Sequence, residues 1–214
     1  AQIKKAAQIT WHAFSKLQQE IITGVSEKAV AAYFSNEVAK LDGELAFATN
    51  ISFGENSAYP HHHPSSCSYK PEQLILVDAG AKYLGYCSDM TRVVVNAAAS
   101  KQQELYQLVK NAYEAAVKIC CPGTKIKDLD YAARHYLQQQ GMDQYFTHSL
   151  GHGVGLDIHE FPSIRQTGED AAKTLEPGMV ITIEPGSYLP GEYGFRYENT
   201  IVITNEGYEN LFTA

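Results

Sequence analysis

Apolar positions recur along this chain first at helical spacing and then in short strand-like runs, and that order occurs twice. Ile3, Ala6, Ile9, Ala13, Leu17 and Ile21 form one stripe, which predicts an amphipathic helix over residues 3–22. A second helix is predicted over 26–41, with Ser26 as N-cap and Gly43 as the stop. Residues 46–58 read as a strand ending in a turn at Gly54–Asn56, and 61–71 as a polar, proline-bearing loop. Residues 73–95 read as a β-hairpin turning at Tyr83–Gly85, which sets Asp78 opposite Asp89. A third helix is predicted from Ser100, with Ser100 and Gln103 as a capping box, to Pro122-Gly123, and a fourth over 127–140. A glycine-rich histidine segment (147–160), a surface loop (163–174) and a second hairpin (179–204) complete the chain.

The repeat is chemical as well as structural. Asp78-Ala-Gly80 leads to Asp89-Met-Thr91 and an apolar run, and Glu184-Pro-Gly186 leads to Glu198-Asn-Thr200 and another. Ala31-Ala32 is echoed by Ala132-Ala133, so the fold class expected is α+β with an internal duplication. A carboxylate at the end of a buried strand is costly to desolvate unless a cation compensates it. Four such acids, with His152 between Gly151 and Gly153, suggest a two-metal site of Asp78, Asp89, His152, Glu184 and Glu198. Carboxylate and imidazole donors suit Mn, Co, Fe(II) or Zn equally. Gly151-x-Gly153-x-Gly155 is not a dinucleotide loop, because its spacing is not GxGxxG and no strand–helix context follows.

Of the Pro60-His61-His62-His63-Pro64 tract, one histidine is expected to serve function and two to be loop residues. Arg196, two positions before Glu198, shares its strand face and is placed either to screen that acid or to bind a substrate carbonyl or carboxylate. The chain has 214 residues, 44% hydrophobic and 19% charged, which bounds it to one globular domain, 1–214, with no membrane span. A net charge of −7 argues against nucleic acid or an anionic membrane as partner. Cys67, Cys87, Cys120 and Cys121 show no zinc or disulfide spacing, which points to a reducing, cytoplasmic setting with Cys87 as a buried inert thiol.

These motifs carry a resemblance. Asp78-Ala-Gly, Gly85-Tyr-x-Ser-Asp89-x-Thr-Arg92, Gly151-His152-Gly-x-Gly, His159-Glu160 and Thr182-Ile-Glu184-Pro-Gly186 resemble the pita-bread metallopeptidases over nearly the whole chain. Pro60-His61-His62 and Phe195-Arg196-Tyr197-Glu198 resemble the Xaa-Pro aminopeptidase and prolidase branch more than the methionine aminopeptidase branch. The resemblance implies two divalent metal ions, Mn2+ foremost. Asp78 would chelate one, Asp89 and Glu198 would bridge both, and His152 and Glu184 would complete the other.

It further implies substrate-binding and proton-handling roles for His61, His148 and His159, a proton relay through Glu184, and a catalytic Arg196. The implied reaction is hydrolysis, by an activated water, of the bond between a free N-terminal residue and a following proline. Methionine aminopeptidase and a non-catalytic protein-binding module of the same fold are the alternatives. Proline-specific relatives mostly carry a preceding domain and form homo-oligomers. The chain starts with Ala at the catalytic part, which leaves room for such a domain. Tyr197 stands where an aliphatic residue is common and is expected to reshape the pocket.

Overall fold

The computed structural model describes residues 1–96 and 98–212. In the first half, α1 (Gln2–Glu20) and α2 (Glu27–Ala39) precede β1 (Glu44–Leu45), β2 (Asn50–Phe53), β3 (Ile75–Ala79), β4 (Ala81–Tyr83), β5 (Tyr86–Cys87) and β6 (Met90–Val94). In the second, α3 (Ser100–Val117) and α4 (Ile126–Gln139) precede β7 (Gly151–Gly153), β8 (Glu160–Ile164), β9 (Val180–Ile183), β10 (Gly186–Leu189), β11 (Tyr193–Arg196), β12 (Asn199–Ile203) and β13 (Tyr208–Asn210). All pairings are antiparallel, with sheets in the orders β2-β3-β6, β1-β4-β5, β10-β11 and β13-β12-β9-β7-β8.

Each helix pair covers its own sheet because each has one apolar face. Ala6, Ile9, Ala13 and Leu17 of the predicted α1 stripe are buried, and Ile9, Ala13 and Leu17 join Val30, Phe34, Ile51, Val77 and Met90 in the first core. The second core is Val117, Ile126, Leu129, Leu137, Ile181, Ile183 and Ile201. Strand alternation then joins the halves. Ile75 and Val77 of β3 point into the first core, whereas Leu74 and Leu76 pack with Val93, Tyr106, Val109 and Phe195 in a third cluster drawn from both halves.

Several local expectations change. Ser100 does not cap α3; the N-cap is Ala99, without a side-chain cap bond, and Ser100 is already helical. Ser26 does cap α2, its Oγ accepting from Ala29 N at 3.2 Å. The strand predicted over 46–58 is confined to β2, and a 3-10 turn at Gly54–Ala58 follows it. The loop predicted at 163 begins inside β8, whose partner β7 runs through the histidine segment. In the first hairpin Asp78 stands opposite Thr91, not Asp89. A shift of two residues preserves the face on which a side chain lies, so both acids still share one face. Between them Gly80 runs so near its neighbour that a Cβ there would lie 2.0 Å from the Ser88 carbonyl oxygen, which excludes any larger residue.

Arg92 is one of the polar ties between the halves. Nη1 donates to the carbonyls of Thr91 (2.9 Å) and Glu198 (2.6 Å), and Nη2 donates to Asn199 Oδ1 (2.6 Å). Its guanidinium also lies 5.5 Å from the Trp11 ring and 4.7 Å from the Tyr197 ring. Replacing it with Leu strands those buried acceptors, and Arg92→Leu is expected to cost roughly 2–4 kcal/mol. Urea unfolding followed by the fluorescence of Trp11, the sole tryptophan, reads this directly.

Candidate metal centre

The two hairpins deliver their acids to one cleft of about 450 Å³. Asp78 lies at the end of β3 and Asp89 just before β6. Glu184 follows β9, and Glu198 precedes β12. The β9–β12 register, continued past Ile183 and Asn199, sets Glu184 opposite Glu198. β7 supplies His152. The wall also includes His61, His148, His159 and Arg196, so all nine residues singled out in the sequence meet here, together with Phe47, Glu160 and Ser163.

Two threonines cross between the copies. Thr91, from the first, donates through Oγ1 to Glu198 Oε2 at 2.6 Å in the second. Thr200, from the second, accepts from the Asp89 amide (3.1 Å) and donates to the Asp89 carbonyl (2.8 Å) in the first. Each copy's threonine therefore fixes the other copy's second acid. The repeated carboxylate-x-Thr spacing carried that signal, although no role for the threonines followed from sequence.

Asp89, His152 and Glu198 each bring a donor atom within 4.8 Å of the other two. His152 Nε2 is 3.5 Å from Asp89 Oδ2 and 3.4 Å from Glu184 Oε1. Its Nδ1 faces the Gly153 carbonyl at 2.9 Å and must donate there, which leaves the Nε2 lone pair toward the acids. Burial holds the imidazole neutral, with its pKa lowered to about 4. Asp89 Oδ1 and Glu198 Oε1 are buried without a hydrogen-bond partner.

The acids repel one another in this setting. Burial, and then Glu198, Asp78 and Glu184, push the Asp89 carboxyl well above its ordinary range. Burial followed by Glu198 does the same to Glu184, and burial with Asp78 raises Glu198 to about 7. Partnerless buried oxygens, a histidine lone pair and clustered carboxylates fit a divalent cation by donor type and charge.

Arg196 screens a different acid from the one nearest in sequence. Its Nη2 donates to Asp78 Oδ2 at 2.6 Å, not to Glu198. Nε donates to Thr91 Oγ1 (2.9 Å), and Nη1 to Tyr188 OH (2.7 Å) and the Pro60 carbonyl (3.4 Å). Those four bonds occupy four of a guanidinium's five N–H groups.

Tyr188, which carried no signal in the sequence, continues this chain to His148 Nε2 at 2.9 Å. His148 Nδ1 donates to the Ser149 carbonyl (2.8 Å), so Tyr188 is the donor to Nε2. Burial, then Arg196, lowers the His148 pKa to about 3 and keeps the ring neutral. His159 stacks edgewise on His152 with ring centroids 4.4 Å apart. Tyr197 does not shape the cleft; strand alternation turns it away from Arg196 and Glu198, against Tyr113 at 5.0 Å. Cys87 is buried, its Sγ 3.5 Å from the Leu156 carbonyl, and burial raises its thiol pKa.

Comparison with known proteins gives the chain's relatives. The chain is 40% identical to the prolidase from Pyrococcus furiosus, covering 100% of this chain and 63% of that one with a TM-score of 0.95. The X-Pro aminopeptidase from Thermotoga maritima MSB8 is 37% identical over 100% of this chain and 60% of its own, at a TM-score of 0.96. An uncharacterized peptidase of Staphylococcus aureus (strain MSSA476) is 38% identical over 213 residues, 99% of this chain and 60% of that protein. The chain thus spans about 60% of the length of the curated relatives it matches. The duplicated α+β arrangement is the pita-bread fold. Residues 1–205 match the model for metallopeptidase family M24, and the chain belongs to that family.

Proposed function

We propose that this chain is the catalytic domain of an exopeptidase that hydrolyses the bond between a free N-terminal residue and a following proline, in the manner of an Xaa-Pro aminopeptidase or Xaa-Pro dipeptidase. The observation that carries the reading is the convergence of Asp78, Asp89, His152, Glu184 and Glu198 in one cleft, with partnerless buried oxygens on Asp89 and Glu198. Those five residues would hold two divalent ions. The proline preference rests on similarity to proteins titled prolidase and X-Pro aminopeptidase. Mn2+ is the first candidate by resemblance to the family, with Co2+, Fe2+ and Zn2+ as competitors that the donor set fits equally. When bound, such ions lower the pKa of water and polarise a carbonyl.

The chain's own groups do the rest. Thr91 aims Glu198, and Arg196 holds Asp78. His148, neutral and donated to by Tyr188, stands with His61 and His159 on the wall available to the peptide. Glu184, on the cleft wall with Oε1 3.4 Å from His152 Nε2, would take the proton of the attacking water and pass it to the leaving proline nitrogen. Four free thiols support a reducing, cytoplasmic setting.

The deciding experiment is a panel of Xaa-Pro dipeptides, longer Xaa-Pro peptides and Met-Ala peptides, each assayed with Mn2+, Co2+, Fe2+ and Zn2+. Release of the residue before proline, with little release of methionine, is the expected result. Preferential methionine release would establish a methionine aminopeptidase. Inactivity on every peptide, with less than one ion bound per chain, would leave the protein-binding module.

A further inference from the structure

The histidine tract at 61–63 and a buried acid far from it in sequence, Glu27, form one device. Glu27 sits in the first turn of α2 and is fully buried. Its Oε1 accepts from the Phe53 amide and from Asn56 Nδ2, both at 2.8 Å. Its Oε2 accepts from the Ser65 amide (2.9 Å) and Ser65 Oγ (2.6 Å), and lies 2.9 Å from His62 Nε2. Five donors on one carboxylate are enough to keep it ionised without a cation. Burial alone would raise its pKa, but the bonds from Asn56, Ser65, His62 and Phe53 outweigh that and hold it below the ordinary value.

The consequence falls on His61. Its ring makes no side-chain hydrogen bond among the described residues, and the residue is exposed where it lines the cleft. Its direction is therefore set by the backbone on either side. On one side the Pro60 carbonyl accepts from Asn50 Nδ2 (3.1 Å) and Arg196 Nη1 (3.4 Å), beside the acid cluster. On the other side His62 and Ser65 are held on Glu27, and the backbone continues this grip, with Glu27 N donating to the Cys67 carbonyl and Lys28 N to the Ser65 carbonyl, both at 3.1 Å. His63 is exposed and takes no part. The three histidines thus have three separate settings.

We propose that Glu27 is a positioning residue for His61: through His62 and Ser65 it fixes the loop that points the His61 imidazole into the peptide cleft. The inference rests on the reading of that cleft as a peptidase site. His61→Ala, His62→Ala and the double variant are compared on one Xaa-Pro peptide with Mn2+ present, alongside bound metal per chain and hydrogen exchange of the amides of residues 61–66.

His62→Ala is expected to lower kcat/KM roughly 10-fold, mainly through KM, a loss of the size that misplacing a binding group by less than about 1 Å produces. In the His61→Ala background the same change is expected to add less than about twofold, because the loop then has no imidazole to aim. Loop exchange should rise, metal content should hold, and His62→Gln should restore part of the loss through its amide. Glu27→Gln should act in the same direction and more strongly, since its amide hydrogens would face donors.

Equal losses from His62→Ala in both backgrounds, or a fall in bound metal, would overturn the positioning role. If the unmodified protein cleaves no Xaa-Pro peptide, the proposed function fails. Loop exchange still reads the latch in that case, and unchanged exchange in His62→Ala would refute it.

Discussion

Asp89→Asn is expected to lower kcat/KM for an Xaa-Pro peptide by roughly 10³-fold or more, while making the metal-stripped protein more stable. The two effects have one cause. Asp89 is 5% exposed, Oδ1 has no partner, and Oδ2 faces His152 Nε2 across 3.5 Å. In the absence of a cation it is held against Glu198, Asp78 and Glu184, which oppose its ionisation. Asn keeps the shape and removes the charge. Its amide also supplies a donor for the His152 Nε2 lone pair, whose ring partner Nδ1 is already committed to Gly153. The backbone of Asp89 stays clasped by Thr200, so the local fold has no reason to change. The same substitution would deprive a bound cation of an anionic donor. Activity, metal analysis and calorimetry in EDTA at pH 8 test all three parts. Near-normal turnover, or a lower melting temperature than the unmodified chain, would count against the assignment.

The site was more legible in the sequence than the sheets that build it. Acids at Asp78, Asp89, Glu184 and Glu198 stand out because carboxylates beside apolar strands and glycines contradict ordinary burial preferences, and that contradiction survives any error in register. The first hairpin shows this. Its pairing is displaced by two residues from the expectation, yet the acids remain on one face because side-chain parity is unchanged. β7 was not legible, since Gly151-His-Gly153 has none of the β-branched or aromatic residues that mark strands, and in β8 Pro162 reads against a strand. There glycine is demanded by close approach instead: a Cβ at Gly151 would lie 2.1 Å from the Thr182 carbonyl oxygen.

Long-range polar partners were equally hidden. Arg196 shares a face with Glu198, but its guanidinium reaches across to Asp78, 118 positions away, because Thr91 already serves Glu198. Glu27 and Tyr188 carry no local signature at all. A helix-start glutamate is common on electrostatic grounds alone, and only the structure shows this one fully buried under five donors.

Between pH 7.5 and pH 8.5 the metal-stripped protein is expected to lose stability, and a saturating divalent ion is expected to reverse that slope. Two sets of groups compete below this window. The buried imidazoles of His152 and His148, lowered to about 4 and about 3, bind fewer protons folded than unfolded, so below about pH 6.5 they favour folding as pH rises. The carboxyls act with the opposite sign. Glu198 is raised to about 7, and Asp89 and Glu184 lie well above their ordinary values, so the folded state retains protons that the unfolded state has released. Their contribution is complete below the unfolded carboxylate range and disappears as pH climbs through the folded values.

By about pH 7.5, a unit above the ordinary imidazole value, the imidazoles no longer differ appreciably between the two states, and the carboxyls alone set the slope. Each proton so retained is worth about 1.4 kcal/mol per pH unit, and for a chain of this size about 1 kcal/mol moves the melting temperature by roughly 2–4 °C. A fall of roughly 3–6 °C for each proton so retained across the window is therefore expected in EDTA. With Mn2+ saturating, the acids bind the ion in their ionised form. Protons then compete with the cation, and the melting temperature should rise over the same range. Scanning calorimetry at pH 7.5, 8.0 and 8.5, at fixed ionic strength with and without the ion, separates the two slopes. Asp89→Asn, lacking one of the titrating acids, should show a shallower fall in EDTA, and a fall as steep as that of the unmodified chain would remove Asp89 from the cluster responsible.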